Sequence, residues 1–149
     1  MIIWWGVGGA LLLFAVTGLI GALVKSGKQD GPWQVNVISA TVSMTDTPPL
    51  LRKDPANRWL VIKAKVEVTD MSSHTGLASI LRLSGVDGLV AQEPGVVLVR
   101  DGTRIDRLHP GLPEELTFAW EQAAAASAPQ RLAVRVNGGA PIDVAVSAS

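Results

Sequence analysis

The chain has 149 residues in which 13 Lys+Arg balance 13 Asp+Glu. This neutral balance argues against a nucleic-acid footprint and against a polybasic lipid-binding patch. There is no cysteine, which excludes disulfides, thiol catalysis and cysteine-ligated metal sites. Richness in Ala, Gly and Val without any tyrosine is compatible with a bacterium of high genomic G+C.

Every charged side chain lies after Val24. As a helix, Ile2 to Val24 would be about 35 Å long at roughly 1.5 Å per residue. A bilayer's hydrocarbon core is about 30 Å thick, so the segment is long enough to cross it with some tilt. A cleaved signal peptide would instead need a basic start, a shorter apolar stretch and a small-x-small cleavage site. The expected organisation is a retained transmembrane helix over 1–25, a polar linker over 26–32 and one β-domain over 33–149. Trp4 and Trp5 mark one interfacial end, and Lys25 and Lys28 mark the other.

Small residues recur at four-residue spacing within the apolar stretch, at Gly6 and Ala10, at Thr17 and Gly21, and at Gly18 and Ala22. Such faces let a second helix approach closely. Ordinary tolerance of glycine in a membrane helix is the competing explanation. Lys25 and Lys28 pull the C-terminal side towards the cytoplasm by the positive-inside rule, but Asp30 follows them. By analogy with other anchored β-sandwiches, the domain is expected outside the cytoplasm of a bacterial cell.

The linker Ser26 to Pro32 (SGKQDGP) is followed by period-two patterns. The first strand is expected from about Trp33 to Met44. Val35 and Val37 face one way, while Ile38, Ala40, Val42 and Met44 continue in the opposite phase. A β-bulge or a change of sheet near Val37 accounts for this slip. The second strand, about Trp59 to Thr69, places Leu60, Ile62, Ala64, Val66 and Val68 inward and Lys63, Lys65 and Glu67 outward. Further strands are expected at Leu77 to Leu83, Gly95 to Arg100, Arg104 to Leu108 and around Leu116, Phe118 and Trp120. Leu132 to Val136 and Ile142 to Val146 flank Asn137-Gly138-Gly139-Ala140, a strong hairpin signal. The alanine-rich stretch Glu121 to Gln130 is expected to form one or two helical turns. About seven short alternating strands define an all-β, immunoglobulin-like antiparallel β-sandwich behind one transmembrane helix.

With the strands placed, Trp59-Leu-Val-Ile-Lys-Ala-Lys-Val-Glu-Val-Thr-Asp and the turn Leu108-His-Pro-Gly-Leu-Pro carry a resemblance. Both resemble telokin-like, immunoglobulin-like domains of bacterial exported proteins and lipoproteins, over roughly Trp33 to Val146. The family pattern has Asn where Asp70 stands here, and a lipoprotein cysteine in place of the apolar segment. The resemblance implies a fold and an exported setting, and it implies no catalytic residues.

His74 and His109 are the only histidines, and they fall in different turns. A shared zinc site or general acid–base chemistry would need those turns to converge. Asp101-Gly-Thr-Arg-Ile-Asp106 lacks the spacing of a calcium loop and reads as a turn, as does Asp87-Gly88. The serines have no nucleophile-elbow context, and no phosphate-binding glycine loop follows a strand. No catalytic residue, metal, cofactor or small-molecule substrate is therefore expected.

Trp59 and Trp120 are expected in the core. Trp33 has two readings, core or bilayer surface. Leu50 and Leu51, on a proline-stiffened loop, are candidate partner contacts, with capping of one end of the sandwich as the alternative. The sequence points to an accessory or scaffold subunit of a larger polytopic membrane complex. A tethered binding module for an extracytoplasmic ligand or wall polymer is the second reading.

Overall fold

The structure is a computed structural model that describes residues 31–46 and 50–148. The segment assigned above to a transmembrane helix and most of the linker lie outside the described residues. Among the described residues no helix is long and apolar enough to cross a membrane.

The domain is mostly β. Its strands are β1 (Trp33–Ser43), β2 (Arg58–Val68), β3 (His74–Thr75), β4 (Leu81–Ser84), β5 (Gly95–Leu98), β6 (Arg107–Leu108), β7 (Glu114–Gln122), β8 (Arg131–Val136) and β9 (Ile142–Ala148). Seven of them form one mixed sheet in the order β4-β8-β9-β1-β2-β7-β5, and β3 pairs with β6 as a separate ribbon. Every pairing is antiparallel except β9 with β1, which runs parallel through Val146 opposite Ala40.

The sheet curls because both of its halves bury the same core. Leu60, Ile62, Val66, Leu116 and Phe118 from the β1-β2-β7-β5 half share one cluster with Leu81, Leu132 and Val134 from the β4-β8-β9 half. The inward row read from the β2 sequence holds residue for residue. Leu60, Ile62, Ala64, Val66 and Val68 are buried, while Lys63 and Lys65 are exposed.

The phase slip in β1 is a register shift between Val37 and Ser39. Ile38 is the unpaired residue and turns outward, 48% exposed. The shift moves the inward set from odd to even positions, so that Val37 and Ala40 are both buried. The β8–β9 hairpin closes through Asn137 and Gly138, both at positive φ, with the Gly139 amide donating to the Val136 carbonyl. Asn-Gly suits this turn because Asn tolerates and Gly prefers the left-handed conformation.

Three expectations are corrected, the first being that the strands are all antiparallel, since β9 runs parallel to β1. Leu77 to Leu83 is not one strand: Leu77–Ser79 forms a short 3-10 turn before β4. Gly76, at φ 79°, starts this turn by reversing the chain, and Leu77 and Ile80 drop into the core. The alanine-rich stretch forms no helix, only a single turn in which the Ala126 amide donates to the Ala123 carbonyl. Glu121 and Gln122 extend β7, and the carbonyls of Ala124, Ala126 and Ser127 accept from the side chains of Arg58 and Gln122. A run of four alanines before Pro129 is too short to offset helix nucleation once tertiary donors compete for its carbonyls.

Strand β7 is buried on both faces. Its inward row packs in the core, and its outer row, with Thr117, Ala119 and Glu121, is also covered. The cover is the chain from Leu50 to Asn57. Leu50, 2% exposed, joins Trp59, Val97 and Ala119 in a second apolar cluster. Its methyls seat directly over Gly95, where an added Cβ would lie 2.5 Å from Leu50 Cδ2. Gly95→Val should therefore expel Leu50 and lower stability by about 1–3 kcal/mol, the usual cost of overpacking. Urea unfolding of the full chain in detergent checks this.

Candidate functional site

Two clusters of polar side chains stand at opposite poles of the domain. At the pole away from residue 31, the Glu121 carboxylate accepts from the backbone amides of Lys53 at 2.9 Å and Asp54 at 3.2 Å. It also accepts from Asn57 Nδ2 at 2.7 Å. Burial alone would raise the Glu121 pKa. The Lys53 amide, the Asn57 side chain and the Asp54 amide outweigh it and hold the carboxyl below its ordinary value.

Asn57 Oδ1 in turn accepts from the Ala124 amide, and Arg58 donates to Gln122 Oε1 at 2.6 Å. Arg52 adds a 2.8 Å ion pair with Asp46 and donates to the Asn57 carbonyl. These bonds tie the loop 50–57 to the end of β7 and to the stretch that follows it. The arrangement clamps the segment 50–57 onto the sheet.

At the other pole β3 and β6 bring both histidine turns together, with His74 in register opposite Leu108. His74 Nε2 lies 2.7 and 2.9 Å from the two Asp70 oxygens, and Ser73 Oγ contacts His109 Nδ1. The Ser72 amide, and after it His74, hold the Asp70 carboxyl below its ordinary value. A serine touching a histidine is the first element of nucleophilic catalysis, which also needs a third group to orient the base. Here the carboxylate engages His74 rather than His109, so these four side chains do not form a triad. No group of three or more His, Cys, Asp or Glu that could hold a metal occurs among the described residues.

The same pole carries the first described residues. The Pro32 carbonyl accepts from the Thr69 amide, and Trp33 sits opposite Val68 with its ring 5.6 Å from that of His74. A groove of about 410 Å³ opens beside the ribbon, lined by Leu98, Ile105, Arg107, Leu108, His109 and Leu112 among others.

The residues singled out from the sequence separate as follows. Gly6, Ala10, Thr17, Gly18, Gly21 and Ala22 lie outside the described residues. Trp33 is 7% exposed because it begins the inward row that continues through Val35, so of its two readings the core one describes this domain. Leu50 is buried over Gly95 and caps the sheet, while its neighbour Leu51 is 64% exposed. Of these three, Leu51 alone is presented to solvent. Trp59 and Trp120 are buried as expected, although Trp59 packs in the outer cluster under Leu50 rather than in the main core.

Sequence reasoning missed the Glu121–Asn57 clamp. Glu121 reads as the start of the alanine-rich stretch, and its one signal is that it continues the alternation Thr117, Ala119, Glu121. The pairing of Ser73 with His109, 36 residues apart, left no local signal at all.

No protein-family model matches the chain, and neither a curated protein nor a solved structure matches it significantly. The fold and the two clusters define a class by architecture alone, a mostly β domain built on a curled mixed sheet.

Proposed function

We propose that this is a non-catalytic, single-pass membrane protein of the bacterial envelope that serves as an accessory or scaffold subunit. Its glycine-rich helix packs against a larger polytopic membrane protein or complex, and its β-sandwich lies over that assembly on the extracytoplasmic side. The observation that carries this reading is the division of the sequence. A charge-free stretch dense in glycine is joined by a short linker to one β-domain.

Strand order supports an immunoglobulin-like form for that domain. Taken in chain order as A, B, C, D, E, F and G, strands β1, β2, β4, β5, β7, β8 and β9 are arranged D-E-B-A and G-F-C. This order matches the strand sets of an immunoglobulin constant-type sandwich, with the two sets joined edge to edge by the parallel β1–β9 pair, and it is what supports that reading.

The test is Gly18→Leu together with Gly21→Leu in the full chain. Both variants should stay in the membrane fraction and lose the co-purifying partner, because a bulky side chain blocks close approach of another helix. Retention of the partner by both variants would remove helix packing from the account. It would favour a tethered module that binds an extracytoplasmic ligand or wall polymer.

A further inference from the structure

We infer that the pole bearing Trp33, the β3–β6 ribbon and the turn before β7 docks on the lipid bilayer, with Met71 and Leu112 inserted at its interface. This rests on the membrane-anchored reading above. Met71 is 91% exposed and Leu112 78% exposed, the two most exposed large apolar side chains among the described residues. They come from different turns, Met71 between β2 and β3 and Leu112 between β6 and β7.

Sheet register brings both turns to one end. Val66 at the close of β2 lies opposite Glu114 at the start of β7, and β3 pairs with β6 between them. The chain reaches the domain at this same end. Pro32 is bonded to Thr69, and a Cβ on Gly31 would lie 3.7 Å from the Asn137 side chain of the β8–β9 hairpin.

The tether makes the occupant specific. Lys25 to Gly31 is six steps along the chain, which extend to about 20 Å at most. If the apolar stretch before Lys25 spans the bilayer, this pole is confined to that distance from the lipid surface, and docking becomes an intramolecular event. The opposite pole stands away by the length of β1, roughly 30–35 Å for its 11 residues. The charges near Met71 and Leu112 are mixed, with Arg107 close to Asp106 and Asp70 bonded to His74. Docking is therefore apolar in origin, requires no anionic lipid and is insensitive to salt.

The absence of cysteine allows a direct test on the full chain in phosphatidylcholine vesicles. Single variants Met71→Cys, Leu112→Cys and, as an equally apolar control at the far pole, Met44→Cys are labelled with an environment-sensitive fluorophore. All three sites are exposed, so the variants keep the fold. The expected result is flotation with the vesicles, and blue-shifted emission quenched by nitroxide-bearing lipids at 71 and 112 but not at 44, unchanged in high salt. Flotation with all three labels in water overturns the docking and leaves the anchor standing. Quenching at all three, or at 44 alone, also overturns it. Failure to float overturns the anchor and the docking together.

Discussion

Phe118→Ala is expected to lower the stability of the domain by about 3–5 kcal/mol. Phe118 is fully buried in β7, with Ile62 of β2 on one side and Val96 of β5 on the other in register. Truncation removes an aromatic ring from the place where the two halves of the curled sheet share one core. The neighbouring strands are fixed by ladders on both sides of β7, so the cavity cannot close by backbone movement. A domain of this size is stable by only about 5–15 kcal/mol, so the loss is a large fraction of the total. Met71→Ala is the contrast, at 91% exposure, with an expected change within about 0.5 kcal/mol. Urea unfolding of the full chain in detergent, followed by circular dichroism, separates the two. Equal effects would mean that the core does not lie where β7 crosses β2.

Glu121→Ala is the second large effect. It leaves the Asn57 amide and the backbone amides of Lys53 and Asp54 without their acceptor under a covered strand. Unsatisfied buried donors make this cost roughly 2–3 kcal/mol. The effect depends on pH with a definite sign. The folded carboxyl titrates below its ordinary 4.5, so its contribution is fully present above about pH 4.5 and is lost as pH falls through the folded value. The gap between wild type and Glu121→Ala should therefore narrow on acidification below pH 4.5, although Asp46, Asp70 and Asp101 keep their own acid sensitivity in both proteins. A gap that stays constant or widens towards low pH would show that Glu121 acts by packing and not as a charged acceptor.

Much of the sheet was legible because β structure writes a period of two into the sequence. The inward row of β2, the phase slip at Val37 and the Asn137-Gly138 turn each carry a local physical cause, and each is found where that cause puts it. What could not be read were features created by chain segments far apart. Leu50 looked available because nothing near it in sequence announces Gly95, whose missing side chain makes its seat. The alanines after Gln122 looked helical because their carbonyls find Arg58, 66 to 68 residues away, only in the folded state. The two histidine turns meet because β3 and β6 pair across the end of the sheet, and strands of two residues leave no periodicity to detect. The signals for membrane anchoring and helix packing lie wholly in residues 1–30, and they rest on composition, length and spacing.

Purification of the full chain from native membranes in mild detergent, with sizing and mass spectrometry of whatever accompanies it, tests the central claim most directly. The account predicts stoichiometric co-purification of a polytopic membrane protein. Recovery of the chain alone, as a monomer or a homo-oligomer, would contradict it.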